Sequence, residues 1–231
     1  MKVLGLHRRD TANVGDLASC PVEYFEFPGH EKKVADIASP PRGYRPDLVI
    51  YGGGSIIASP MFHQWPGLTV AWGVGHHVRV PPWHAAMDEE HRRAGLKCNL
   101  YFPRDEVAGF MHVPCASCMH PVFDEPLPGP ICDVVRYSAA RRIRVQEPRD
   151  APGMSNIDGT IEESVRFLAQ GRMVITSSYH GAYWALLLGR KVALMPWGSK
   201  FEYLPSLELE PCREANRRAY AAVLNLLEAM A

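Results

Sequence analysis

Apolar residues fall along this chain in short unbroken runs, each closed by glycine, proline or small polar residues. Residues 3–7 form the first run and lead into a small polar turn over 10–16. A second run covers 22–27 and is closed by Pro28 and Gly29; a third covers 47–51 and ends in Gly52, Gly53 and Gly54. Residues 68–72 form a fourth, ending in Gly73-Val74-Gly75-His76-His77, and 99–102 a weaker fifth that leads to Pro103-Arg104-Asp105. Runs without polar alternation suit strands covered on both faces. An open parallel sheet presents its ligand groups at such strand ends.

The segment 124–130 is rich in proline and acid, which places a domain boundary there and predicts two halves, 1–127 and 128–231. In the second half, 132–137 and 143–145 read as strands and 153–159 as a loop. Thr160 and Glu163 have capping-box spacing, so a helix is expected to Gln170, stopped by Gly171. Residues 173–176 read as a buried strand, 180–188 as a buried helix stopped by Gly189, and 191–195 as a strand stopped by Pro196. From 214 to 230 the pattern is amphipathic, with Ala219, Val223, Leu226, Leu227 and Met230 on one face. Helices alternating with strands imply βαβ units with parallel pairing. The fold class expected is α/β with two Rossmann-like parallel-sheet halves facing a cleft. No repeat or low-complexity tract interrupts it.

Composition narrows the function classes. With 231 residues, 47% hydrophobic and 22% charged, the chain has ordinary globular usage. Lysine plus arginine equals aspartate plus glutamate at 25 each. That balance argues against a broad nucleic-acid surface or a polybasic membrane patch, so an anionic ligand must meet a local cluster of cations. No apolar run reaches the roughly 18 residues of a membrane span. The first apolar stretch is too short for a signal-peptide core, so a cytoplasmic protein is expected. Six cysteines without a secretion signal read as free thiols. Cys115 and Cys118, flanked by His112 and His120, have metal or redox spacing. With no second pair, buried structural thiols and no metal are expected.

Several segments carry candidate chemistry, each beside a plainer reading. Ser177 and Ser178 end a buried strand, and His180 and Gly181 follow where a helix should start. Unpaired backbone N–H groups there favour an anion, with His180 as acid or ligand. A histidine capping its own helix would look the same. Gly53 and Gly54 allow either close approach to a ligand or a tight turn. Asn13 and Asp16 sit in a turn whose side chains can bond their own backbone. Arg104 is a bidentate clamp for phosphate or carboxylate, or the partner of Asp105. Lys200 lies just past a strand end, in reach of a phosphate. Arg141, Arg142 and Arg144 read as a solvated face.

As a set, Asn13-Val14-Gly15-Asp16, Tyr51-Gly52-Gly53-Gly54, Trp72-Gly73-Val74-Gly75, Arg104-Asp105, Val113-Pro114-Cys115-Ala116-Ser117-Cys118, Ser177-Ser178-Tyr179-His180-Gly181-Ala182-Tyr183-Trp184-Ala185 and Ser199-Lys200-Phe201 resemble the polysaccharide pyruvyl transferase family, in particular its small succinoglycan-type members. The resemblance implies a GT-B-like architecture, phosphoenolpyruvate as donor and co-substrate, no further cofactor, and a saccharide or lipid-linked oligosaccharide as acceptor. The product would be a pyruvate ketal of an exopolysaccharide or cell-surface glycan precursor. With a lipid-linked acceptor the enzyme would work peripheral to the inner membrane. Position by position, His180 becomes the general acid, and Arg104, Lys200, Ser177, Ser178 and Gly181 the donor-binding set. Asn13, Asp16, Gly53, Gly54, His76 and His77 become cleft or acceptor candidates, the base being His76, His77 or Asp16. The chain departs from the family in its shortness and in lacking a full helix after the first strand. Two rivals remain: a GT-B glycosyltransferase using a nucleotide sugar, with Trp197 stacking the base and Glu202 binding the ribose, and a non-catalytic ligand-binding relative.

Overall fold

The computed structural model describes residues 1–77, 84–140, 142–157, 159–201, 204 and 207–230, with the backbone alone for 84–87. Arg141 and Glu202 lie outside the described residues. Among the described residues, nine strands form two parallel sheets. The first contains β1 (Lys2–His7), β2 (Glu31–Asp36), β3 (Leu48–Gly52), β4 (Leu68–Val74) and β5 (Leu100–Pro103), in the order β2-β1-β3-β4-β5. The second contains β6 (Cys132–Ser138), β7 (Gly153–Ser155), β8 (Gly171–Thr176) and β9 (Lys191–Leu194), in the order β7-β6-β8-β9. Both sheets therefore wind in opposite directions from a central pair, β1/β3 in one and β6/β8 in the other. This arrangement is compatible with a Rossmann-like α/β fold and puts a topological switch point in each half.

Among the described residues, five α-helices connect or cover the sheets: α1 (Val14–Leu17), α2 (His84–Gly95), α3 (Ile161–Ala169), α4 (Tyr179–Leu187) and α5 (Leu209–Glu228). Strands β3 and β4 are buried along their whole length, as their unbroken apolar runs require. Helix α3 starts with the expected capping box between Thr160 and Glu163. Helix α4 ends at Gly189, whose φ of +66° suits glycine, with the Gly189 and Arg190 amides bonded back to Leu186 and Ala185. Helix α5 returns to the first half, where Ala219, Val223 and Leu227 share a core with Val3, Ile50 and Trp72. Among the described residues no helix is long and apolar enough to cross a membrane.

Several expected elements differ. The run 22–27 is no strand: Pro21–Glu23 is a 3₁₀ turn, and Phe25 and Phe27 are buried beside Tyr220 of α5. The apolar residues there serve loop packing, while the true strand β2 is the charged edge segment that follows. The strand expected at 143–145 is a loop, and the segment read as a loop at 153–159 contains β7. Gly171 does not stop α3; it begins β8, where any Cβ would lie 2.7 Å from Val135. Met230 lies beyond α5 and is 59% exposed, so it is not part of the packed face.

Candidate functional site

The carboxyl ends of both switch-point pairs open onto one cavity of about 570 Å³. Arg8, Thr11, Asn13 and Asp16 reach it after β1, Gly54 and Ser55 after β3, His77 after β4, and Arg104 after β5. From the second sheet come Ala139 and Arg142 after β6, Asn156 and Ile157 after β7, Ser178, Tyr179 and His180 after β8, and Trp197 and Lys200 after β9. The halves also touch at its edge. The Val14 amide donates to the Asn156 carbonyl at 2.8 Å, and Asn156 Nδ2 donates to Asn13 Oδ1 at 2.8 Å.

Arg104 is 4% exposed yet borders the cavity. One terminal nitrogen donates to Ser55 Oγ at 2.6 Å, and the guanidinium carbon lies 4.4 Å from the centre of the Tyr179 ring in the other half. Its Nε is 3.6 Å from Asp105 Oδ1 and makes no hydrogen bond. Arg104 thus neighbours Asp105 and also faces the cleft. Burial pushes the Asp105 carboxyl up, but the His91 hydrogen bond, the Arg104 charge and the His76 amide together hold it below its ordinary value.

His180 lies in the first turn of α4. Ser178, not His180, caps that helix, its Oγ accepting from the Gly181 amide at 3.3 Å. The imidazole is instead wedged between Trp184 (ring centroids 5.3 Å apart) and the backbone of Gly15. A Cβ on Gly15 would sit 1.9 Å from His180 Nδ1, so only glycine permits this approach between the halves. His180 Nε2 is buried without a hydrogen-bond partner. Burial, then the charges of Arg104 and Lys200, drive its pKa down to about 3, so the ring is neutral.

Asp16 is the acid among the described cavity residues. Burial raises its pKa against the opposing pull of Asn13, Lys200, Arg104 and Arg8. Lys200 places its ammonium 4.1 Å from the Trp197 ring centre, Arg142 stands 5.2 Å from the same ring, and His77 packs edge-on at 4.7 Å. Arg142 is exposed, in keeping with its reading as a solvated face, and it also borders the cavity. The aromatic face that a nucleobase would need already serves two cations.

The remaining candidates do other work. Ser177 Oγ donates to the Ile143 carbonyl and accepts from the Ala139 amide, bracing the second sheet. Gly181 lets α4 close onto β6 and β8: a Cβ there would lie 2.4 Å from Tyr137 and 2.7 Å from Thr176. Gly53 adopts φ +54° and packs against Ser19. His76 gives its backbone amide to Asp105 and turns its ring toward His91, 6.5 Å away between centroids, while burial lowers its pKa. Arg8, Ser55 and Asn156 were not singled out by the sequence, because no local pattern marks them; Tyr179 stood within the His180 segment without a role of its own. Cys115 and Cys118 are buried free thiols, and burial raises both pKa values. Among the described residues no group of three or more His, Cys, Asp and Glu side chains could hold a metal ion. No family model matches the chain, and no curated protein matches it.

Proposed function

We propose that this protein is a pyruvyl transferase that moves the enolpyruvyl group of phosphoenolpyruvate onto a sugar of an exopolysaccharide or cell-surface glycan precursor, on a GT-B-like frame. One observation carries the reading: Arg8, Arg104, Arg142 and Lys200 converge with His180 on a cavity to which the described residues contribute Asp16 as the lone acid. Such a site has an excess of positive charge suited to a donor bearing both a carboxylate and a phosphate.

The chemistry uses these groups in order. His180 delivers a proton to the methylene carbon of the donor, converting it to a methyl group, and positive charge develops at the neighbouring carbon. One sugar hydroxyl oxygen bonds to that carbon and gives its proton to a base. The carbon–oxygen bond to phosphate breaks, its electron pair leaving with the phosphate, and a second hydroxyl closes the ketal, its proton passing to the departed phosphate. Donor and sugar diol become ketal and inorganic phosphate. Asp16 and His77 border the cavity as bases, whereas His76 does not. Arg104 and Lys200 hold the donor and steady the departing phosphate. Burial is the larger cause of the neutral His180 ring; a bound donor offsets the two charges that add to it, which favours the protonated form.

A nucleotide-sugar glycosyltransferase is less well supported, because Trp197 gives its ring to Lys200 and Arg142. The test is a thermal-shift titration with phosphoenolpyruvate and, separately, nucleotide sugars, followed by phosphate release with a glycan acceptor. A ligand at a hundredfold excess over Kd stabilises by about 2.7 kcal/mol. Stabilisation by phosphoenolpyruvate and acceptor-dependent phosphate release are expected. Stabilisation by a nucleotide sugar alone would overturn the assignment.

A further inference from the structure

Behind Arg104 runs a chain of buried polar groups that the proposed chemistry does not use. Asp105 is 1% exposed and His91 is fully buried. Asp105 Oδ2 accepts from the His76 amide at 2.7 Å and from His91 Nε2 at 3.1 Å, while Oδ1 faces Arg104 Nε. A carboxylate only accepts, so His91 Nε2 carries a proton, and His91 Nδ1 is hydrogen-bonded to the Tyr101 hydroxyl, 2.6 Å away. Burial pushes the Tyr101 hydroxyl up, which keeps it a donor. The groups come from the end of β5, the loop after β4 and helix α2, so three elements fix one carboxylate. Gly75 leaves the room: a Cβ there would stand 2.3 Å from Arg104 Nε and 2.8 Å from Asp105 Oδ2.

We infer that Asp105 is a positioning residue that aims the Arg104 guanidinium into the cavity, with His91 and Tyr101 holding Asp105 in turn. The inference rests on the reading of this cavity as an anion site. A long flexible arginine is useful as a clamp only when its fork is held: Ser55 Oγ accepts from one terminal nitrogen at 2.6 Å, and the Asp105 carboxylate, itself buried and hydrogen-bonded, faces Nε at 3.6 Å. Positioning differs from charge balance in the sign of its effect. If Asp105 merely neutralised Arg104, removing its charge would strengthen anion binding. If it aims the guanidinium, the same change weakens binding, and only while Arg104 is present.

The experiment has two arms. The first needs no ligand: the Arg104 Nε–H resonance is followed by NMR in the wild-type protein and in Asp105→Asn. A changed chemical shift and a broadened signal in the variant are expected, as the guanidinium samples more than one orientation, and a signal unchanged by the substitution would overturn the proposal. The second measures Kd for inorganic phosphate and for phosphoenolpyruvate across Asp105→Asn, Arg104→Ala and the double variant. Asp105→Asn is expected to weaken binding about tenfold, with no further loss in the Arg104→Ala background. Tighter binding, or an equal loss in both backgrounds, would overturn it. Tyr101→Phe removes one hydroxyl at the far end of the chain and serves where Asp105→Asn does not fold; about fivefold weaker binding is expected, and an unchanged Kd counts against the proposal. Wild-type protein that binds neither anion would sink the functional reading, while the resonance still decides whether Asp105 holds Arg104.

Discussion

The two walls of the cavity hold their cations in different ways. The first sheet offers Arg104, almost wholly buried, beside an ionised carboxylate that three elements brace. The second offers Lys200 over the rings of Trp197 and Phe201, and an exposed Arg142 beside the same tryptophan. One wall is a fixed fork whose cost of desolvation is met inside the protein. The other is a set of point charges resting on aromatic surface near solvent. The contrast separates geometry from charge: the first wall should be needed for folding as well as binding, the second for binding alone.

The sharpest break of that contrast is Arg104→Ala. It leaves Asp105 buried without its cation, and removing one partner of a buried pair costs about 3–5 kcal/mol. Urea unfolding should show that loss, and phosphoenolpyruvate affinity should fall at least a hundredfold. A variant as stable as the wild type would remove the distinction between the walls.

The walls also depend on how the halves are joined. Asn216 of α5 is fully buried; its Oδ1 accepts from Trp72 Nε1 at 2.8 Å, and its Nδ2 donates to the carbonyls of Cys212 at 2.9 Å and Pro114 at 3.3 Å. Asn216→Ala orphans the indole N–H and opens a small void, for an expected loss of about 2 kcal/mol by urea unfolding. A loss below about 0.5 kcal/mol would show that α5 merely rests on the first sheet rather than tying it to the second.

How much of this was legible follows from where the determining forces lie. Strands β3 and β4, the Thr160 cap and the Gly189 stop are written locally, in unbroken apolar runs and cap chemistry. Strand β2 was not: as a charged edge strand with β1 as its hydrogen-bonded neighbour, it carries no apolar signal, and Phe25 and Phe27 lent theirs to the wrong segment. Helix α2 is polar and escaped for the same reason. In the site, Arg104, His180, Lys200, Asn13, Asp16, Ser178, Gly54 and His77 all border the cavity. Ser177, Gly181, Gly53 and His76 sit beside them in sequence but face inward, since neighbouring residues on a turn point in different directions. The His91–Asp105 pair spans 14 positions and two elements, so no motif could disclose it.

His180 sharpens the comparison through pH. With its pKa at about 3 in the folded protein and near 6.5 when unfolded, the unfolded chain takes up a proton that the folded chain refuses. Stability is therefore full above pH 6.5 and declines as pH falls toward 3, by about 1.4 kcal/mol per pH unit from this one group. His7 and His76, also lowered by burial, act in the same direction. His180→Gln should flatten the decline of urea stability between pH 7.5 and 5.5. Phosphoenolpyruvate binding at pH 6, followed calorimetrically in two buffers of different ionisation enthalpy, should take up a proton in the wild type and none in the variant. Equal slopes, or equal uptake, would remove His180 as the group that the two walls jointly keep neutral.

The smallest structural effect should come from the second wall. Lys200 lies within a short 3₁₀ turn, Ser199–Phe201, half-buried with its ammonium over Trp197, so Lys200→Ala loses a cation–π contact worth about 0.5–2 kcal/mol. Thermal and urea midpoints should move little. Binding should respond differently, because a point charge facing a phosphate acts through the ligand: about tenfold weaker phosphoenolpyruvate binding is expected, shrinking as salt is raised. The Arg104→Ala loss should persist in salt, since it removes a buried, directional clamp. If Lys200→Ala instead destabilised the fold as strongly as Arg104→Ala, both walls would be structural, and the division of labour between a braced fork and a surface charge would fail.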